Sequence, residues 1–116
     1  MNITIQHRHL RSTHALDALI ENRLLALQSR RLIEEARVML EFRAPRSPAF
    51  LVAIEVITPG PDLFVEAADH TLPAAIQKAL ARLEALIGER ELRRRRREAG
   101  RRSHPRPSRR AAAALA

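Results

Sequence analysis

The chain has 116 residues, which is enough for one domain of ordinary size but not for two. Its formal net charge is +8, yet residues 1–90 are neutral, with ten Arg and Lys78 against eleven acids. The whole excess lies in residues 91–116, where ten arginines face only Glu91 and Glu98. The absence of cysteine excludes a disulfide framework and Cys-ligated zinc. No apolar run is long enough to span a membrane, and the N-terminus does not have the pattern of a signal peptide, so we expect a cytoplasmic protein.

The first third of the chain predicts a strand followed by a helix. Residues 2–9 alternate, with Ile3, Ile5, His7 and His9 on one side, and a period of two is typical of a strand. Ser12 or Thr13 can cap a helix that ends near Ser29. Its apolar residues are spaced by three and four and share one face: Leu16, Leu19, Ile20, Leu24 and Leu27.

Three strands and a second helix follow. From Ile33 the period returns to two, and breaks at residues 44–48 and 58–61, which are rich in proline, separate strands two, three and four. The second helix begins near Thr71, and its apolar stripe predicts the buried residues Leu72, Ile76, Ala79, Leu80, Leu83 and Leu86 or Ile87. Gly88 either ends this helix or lies inside a longer one that runs on into the arginines.

The predicted order is β-α-β-β-β-α. Short breaks join strands two to four, so we expect an antiparallel meander, whereas strand one returns through a helix and is expected to pair in parallel with a neighbour. The two striped helices can cover one face of a four-stranded sheet. The fold class is therefore an α+β two-layer sandwich.

We divide the chain into a folded domain, residues 1–92, and an arginine-rich tail, residues 93–116. The tail contains five consecutive arginines and almost no apolar residue before Ala111, so we expect it to be disordered from about residue 98. One interpretation is an arm that pairs with phosphates and orders on binding. The alternative is a solvated tail whose arginines reflect a genome-wide codon bias.

Few other candidate sites arise from the residues. His7 and His9 share a strand face and could meet one metal ion with His14 or His70, but nothing in the spacing requires this, and we predict no metal site. No glycine-rich phosphate loop, carboxylate pair or nucleophile turn is present, so no enzyme is predicted. The second helix carries a row of basic residues that suits either a phosphate backbone or solvent: Lys78, Arg82 and Arg90.

Several short motifs, taken in order, resemble the family of ribosome hibernation-promoting factors and ribosome-associated translation inhibitors, also named sigma-54 modulation proteins. The resemblance covers about residues 2–95. The motifs are Asn2-Ile3-Thr4, Thr13-His14-Ala15-Leu16, Leu63-Phe64-Val65-Glu66-Ala67, Thr71-Leu72-Pro73-Ala74-Ala75-Ile76 and Arg82-Leu83-Glu84. Gln77 and Pro73 depart from the family pattern, and the body carries fewer basic residues than family members do.

The resemblance implies a β-α-β-β-β-α fold similar to double-stranded-RNA-binding domains. It implies binding to the small ribosomal subunit where messenger and transfer RNA would lie, which silences idle ribosomes under stress. Arg23 and Arg82 match basic family positions, and Arg90 and Arg93 lie near the basic end of the second helix. The chain is similar to the short type of the family.

We therefore predict a non-catalytic factor that binds the small ribosomal subunit and its rRNA and inhibits translation, with no cofactor, no small-molecule substrate and no membrane partner, as a monomer or weak dimer. The predicted nucleic-acid-binding residues are Arg23, Lys78, Arg82, Arg90, Arg93, Arg94, Arg95, Arg96, Arg97, Arg101 and Arg102. The first alternative is a general RNA- or DNA-binding module driven by the tail. The second is a protein-interaction domain that dimerises through the open sheet face: Arg37, Met39, Glu41, Leu51, Ala53 and Phe64.

Overall fold

A computed structural model describes residues 1–28 and 32–103, and of residues 98 and 100–103 it describes the backbone alone. The element order is β1 (Asn2–Arg8), α1 (His14–Leu27), β2 (Glu35–Phe42), β3 (Phe50–Ile57), β4 (Leu63–Asp69) and α2 (Leu72–Ser103). This order confirms the predicted α+β class. The chain divides into two compact units, Met1–Leu86 and Ile87–Ala116, and the described part of the second is the C-terminal half of α2.

The four strands form one mixed sheet in the order β1-β2-β3-β4. β1 pairs in parallel with β2, with Asn2 opposite Glu35 and Arg8 opposite Glu41. The pairs β2–β3 and β3–β4 are antiparallel. The predicted meander and the parallel return of the first strand are therefore confirmed, and β1 and β4 are the two edges of the sheet.

One face of the sheet is buried and the other is open. On β2, β3 and β4 every second side chain is buried, and this set is entirely apolar: Ala36, Val38, Leu40, Val52, Ile54, Val56, Leu63, Val65 and Ala67. The intervening positions on β2 and β4 are exposed or half-buried. Both helices place their apolar stripes on the buried side, which gives the two-layer sandwich, with the core between helices and sheet.

The helix α1 is capped as expected. Of the two candidate residues, Thr13 is the N-cap, and its Oγ1 accepts a hydrogen bond of 3.1 Å from the Leu16 N–H. Ile20, Leu24 and Leu27 are buried, whereas Leu16 and Leu19 are half-buried. The helix ends at Leu27, about two residues before the predicted end.

The helix α2 decides what the sequence left open at Gly88. It begins after Thr71, whose Oγ1 accepts a bond from the Ala74 N–H, and it continues through Gly88 to Ser103. Residues 98–103, part of the segment for which we expect disorder, lie in the last turns of this helix. Arginine is a good helix former, and the first proline after Pro73 is Pro105. Residues 104–116, the rest of the predicted tail, lie outside the described residues. Neither helix, as far as it is described, is long and apolar enough to cross a bilayer.

Candidate nucleic-acid interface

The basic residue predicted on α1 connects the two helices. The Nη2 atom of Arg23 donates to Oε1 of Glu84 on α2 at 2.7 Å, and its Nη1 donates to Oε1 of Gln77 at 3.3 Å. The Arg23 and Glu84 side chains are each about one-third exposed. Arg23 therefore holds α1 against α2 while part of its guanidinium faces solvent.

Lys78 connects α2 with the end of β4. Its ammonium lies 3.1 Å from Oδ2 of Asp69 and donates to the carbonyl oxygen of Ala68 at 3.2 Å. The other carboxylate oxygen of Asp69 accepts a bond of 2.7 Å from the His70 N–H. The His70 N–H, and after it Lys78, lower the pKa of Asp69 below its usual value.

Arg82 makes a similar contact one turn further along α2. Its Nη1 donates to the carbonyl oxygen of Glu66. Glu66 and Ala68 are two residues apart on the edge strand β4, so Arg82 and Lys78 bond to carbonyls that face away from β3. Covering a free strand edge with basic side chains opposes pairing with another chain. Both residues are exposed, so they can also face a ligand from the solvent side of α2.

The second half of α2 presents its arginines differently. Residues 93–97, which we call the arginine stretch, are all exposed. Successive helical residues are rotated by about 100°, so five consecutive arginines place positive charge on every side of the helix. Such a helix can contact phosphates whichever of its sides faces the ligand. It is therefore better suited to a groove that surrounds the helix than to a flat surface.

The remaining predicted residues lie on the same helix. Arg90 is half-buried. Arg101 and Arg102 are helical in their backbone, which is the only part of them that the structure describes. The predicted set is thus divided between two groups: Arg23, Lys78 and Arg82 in the first compact unit, and the arginines from residue 90 onward in the second.

The two histidines weighed as metal ligands do not share a strand face. β1 ends at Arg8, and His9 adopts a left-handed backbone with φ of 58°. The Nε2 atom of His7 lies 3.3 Å from Oδ1 of Asp17. Within residues 1–28 and 32–103, no three histidine or carboxylate side chains are grouped as metal ligands.

The open sheet face carries a shallow depression of about 490 Å³ whose lining includes Arg37, Met39, Ala53, Glu55 and Phe64. Arg37 contacts Glu35 at 2.8 Å and Glu55 at 3.3 Å, and the hydrogen bond to Glu35 contributes most to raising the pKa of the guanidinium. The Phe64 side chain is 59% exposed. Since the charged residues here are ion-paired or acidic, this depression does not suit phosphate.

A family model for sigma 54 modulation protein / S30EA ribosomal protein matches residues 3–97, most of the chain. The chain belongs to this family of ribosome-associated proteins. The fold is also that of the Protein Y N-terminal domain from Thermus thermophilus, with a TM-score of 0.63, 31% identity, and coverage of 75% of this chain and 96% of that one.

A ribosomal subunit interface protein from Coxiella burnetii shares the fold, with a TM-score of 0.67 and 16% identity over 79% of this chain and 99% of that one. No curated protein matches the sequence. The match of the family model to residues 3–97 confirms the family that was predicted from short motifs.

No sequence pattern predicts the internal partner of Arg23. Arg23 and Glu84 are 61 positions apart, and only the packing of α1 on α2 brings them together. Lys78 and Asp69 are separated by nine residues, at the start of a helix and the end of the preceding strand. The short connection between β4 and α2 could have predicted that Lys78 lies close to Asp69. No comparable signal in the sequence predicts the contact between Arg23 and Glu84.

Proposed function

We propose that this protein binds the small ribosomal subunit through its rRNA and inhibits translation without catalysing a reaction. The observation that carries the proposal is the arginine stretch, five exposed arginines on one continuous helix, in a chain that belongs to a ribosome-associated family. Phosphates are the dense, regularly spaced anions that such a helix attracts. The protein would act in the cytoplasm, where idle ribosomes are silenced.

The two groups of basic residues have different roles in this proposal. The arginine stretch and the remainder of the 93–116 tail supply most of the attraction to rRNA, whatever its sequence. Residues 1–92 supply the shape that selects the small subunit, and Arg23, Lys78 and Arg82 are held in fixed positions by their contacts to Glu84, Asp69 and the β4 carbonyls. Fixed charges discriminate between surfaces better than mobile ones, because only a matching arrangement of phosphates engages all of them.

A binding competition tests this division of roles. The full-length protein is bound to purified small subunits in the presence of increasing amounts of a 20-base-pair RNA duplex. Retention on small subunits at a large mass excess of duplex, together with loss of peptide synthesis in a translation reaction, is the expected result. A matched variant with all five arginines of residues 93–97 replaced by glutamine should bind and inhibit much more weakly.

The general nucleic-acid binder is the second candidate, and one observation favours it. Because the arginine stretch exposes charge on every side, it contains no arrangement that would distinguish one RNA from another. Displacement from small subunits by an equal mass of duplex RNA would support this candidate and contradict ours. The open-face dimer gives a different outcome, a molecular mass that doubles with rising concentration.

A further inference from the structure

The basic residues within 1–28 and 32–86 fall into two sets. Some of their side chains bind another group of the protein, and the others do not. Five of them donate to a carboxylate, an amide or a carbonyl oxygen: Arg23, Arg37, Arg43, Lys78 and Arg82. The other three are exposed, and in this part of the chain none of them has a hydrogen bond or ion pair through its guanidinium: Arg8, Arg11 and Arg46. A guanidinium has five donors, so these three side chains are available to an external acceptor.

All three unpaired arginines lie at the same end of the sheet. β1 is parallel to β2, so Arg8, the last residue of β1, lies beside Glu41 near the end of β2. Arg46 lies in the loop that joins β2 to β3 at this end, and Arg11 lies between β1 and α1. Neighbouring strands are about 4.8 Å apart, so the three backbones arise from a region about 10 Å wide.

The loop that carries Arg46 is held in a fixed shape. The Arg43 N–H donates to the carbonyl oxygen of Ala49 at 2.8 Å, and the Arg46 N–H donates to that of Arg43 at 3.1 Å. The Nε atom of Arg43 also donates to the carbonyl oxygen of Pro48 at 3.4 Å. These bonds hold the backbone of the loop at Arg46 in a fixed position at the end of the sheet.

Between Arg8 and Arg11 the backbone is strained. His9 has a φ of 58°, a left-handed geometry that costs free energy for any residue other than glycine. This conformation ends β1 at Arg8, and Arg11 follows in the short segment that leads to α1. Strained backbone persists where surrounding structure enforces it, and such positions cluster at binding sites.

Acidic residues do not cancel the positive charge of this end. Lys78 offsets the charge of Asp69, whereas Glu41 beside Arg8 and Asp17 in the first turn of α1 remain as carboxylates at this end. Both helices begin at this end, at His14 and Leu72, and their amino termini add partial positive charge. The end of the sheet therefore carries three exposed guanidinium groups, of Arg8, Arg11 and Arg46, against the two carboxylates of Asp17 and Glu41.

We propose that Arg8, Arg11 and Arg46 form a second phosphate-binding surface, made of residues other than those of the arginine stretch, whose ligand is the phosphodiester backbone of RNA. Guanidinium groups bind phosphate oxygens in pairs, which favours arginine at such surfaces. The three arginines are exposed on three separate segments, so a polymer that carries several phosphates can engage all of them at once. That the polymer is RNA rests on the proposed function.

Salt-dependent binding of the full-length protein tests this surface. The triple variant R8Q/R11Q/R46Q is compared with wild type on small subunits and on a 20-base-pair RNA duplex. Each phosphate contact contributes roughly 0.7 to 0.9 to the slope of log affinity against log salt, so the triple variant should lose about 2 from the slope and at least about tenfold in affinity. Arg37→Gln is the matched control, because it removes a charge that is already paired, and it should bind within about twofold of wild type.

The outcomes separate this surface from the proposed function. Wild-type slope and affinity for the triple variant on both ligands would overturn the second surface and leave the ribosomal function standing. If wild type fails to prefer small subunits but the triple variant still loses slope on the duplex, the ribosomal function falls and the surface stands.

Displacement of RNA by millimolar inorganic phosphate from wild type, but not from the triple variant, would identify a free anion as the ligand and contradict the RNA assignment. Should the triple variant not fold, Arg46→Gln in the exposed loop decides the question with an expected slope change of about 0.8.

Discussion

The two compact units of this protein contain similar numbers of basic residues but use them in different ways. Residues 1–86 have ten basic and ten acidic residues, whereas residues 87–116 have eleven arginines and three acids. In the first unit most of the described basic side chains bond to other parts of the fold, as Arg23 bonds to Glu84 and Lys78 to Asp69. In the second, the arginine stretch is exposed on all sides of a helix.

Net charge alone therefore does not identify a binding surface in this protein. A paired arginine contributes rigidity and a fixed position, and contacting a ligand requires it to share or exchange its partner. An unpaired arginine contributes attraction at long range and little geometric selectivity. The first unit is thus suited to recognition and the second to capture, and the following variants separate the two roles.

Removing the tail should have the largest effect. A chain ending at Leu92 loses ten arginines and one glutamate, which changes the net charge from +8 to −1. If about six phosphates are engaged, full-length protein should lose roughly a thousandfold in affinity for small subunits between about 50 and 200 mM salt, and the shortened chain should show a much shallower slope. Its melting temperature should be unchanged. Identical slopes for the two chains would mean that the tail is a solvated appendage.

A charge in the core should affect stability and not salt dependence. Leu83 is fully buried, so Leu83→Asp should cost about 4 kcal/mol of unfolding free energy, because the carboxylate loses its hydration and gains no partner. Gln6→Asp on the exposed face of β1 is the control and should cost less than about 0.5 kcal/mol. Urea titration measures both, and equal losses would show that the face assignment of the sheet and α2 is mistaken.

A charge swap distinguishes the structural from the binding role of Arg23. Arg23→Glu brings two carboxylates together at Glu84 and should cost about 1 kcal/mol, since the pair is partly exposed. The double variant Arg23→Glu/Glu84→Arg should regain that stability while its affinity for small subunits stays low. Recovery of binding along with stability would assign Arg23 a purely structural role.

Single substitutions along the arginine stretch test whether RNA surrounds the helix. Each arginine from Arg93 to Arg97 is replaced in turn by glutamine, which has a similar helix propensity. If phosphates lie on every side, each variant should lose a similar amount of affinity and about 0.7 to 0.9 of salt slope on small subunits. Losses that rise and fall with the helical period would instead show that one side of the helix rests on a flat surface.

The smallest expected effect concerns Asp69 at acidic pH. Its pKa is lowered in the folded protein by the His70 N–H and by Lys78, so its carboxylate stabilises the fold above the ordinary value of 3.8, and this contribution is lost as the pH falls below it. The difference in urea midpoint between wild type and Asp69→Asn should therefore be largest near neutral pH and shrink on acidification. Glu21→Gln, which removes an exposed carboxylate from α1, is the control. A difference that grows on acidification would reverse the inferred sign.

The element order, the buried face of the sheet and the family could all be predicted from the amino-acid sequence alone. Alternating residues such as Val52, Ile54 and Val56 specify a strand with one apolar face, and spacings of three and four specify the stripes of α1 and α2, because burial follows the periods of the backbone. The family followed from short motifs spread over most of the body. The position of the charge excess also required no structure, since it is a property of composition.

The partners of the charged side chains and the end of α2 could not be predicted from the sequence and follow from the three-dimensional structure. The pairing of Arg23 with Glu84, and the grouping of Arg8, Arg11 and Arg46 at one end of the sheet, depend on contacts between segments far apart in the chain, which no local pattern encodes. The continuation of α2 through Gly88 was undecided by sequence, because one glycine costs a helix only about 1 kcal/mol and good helix formers on both sides offset it. Local periodicity therefore fixes elements and faces, while the partners of charged side chains are set by packing in three dimensions.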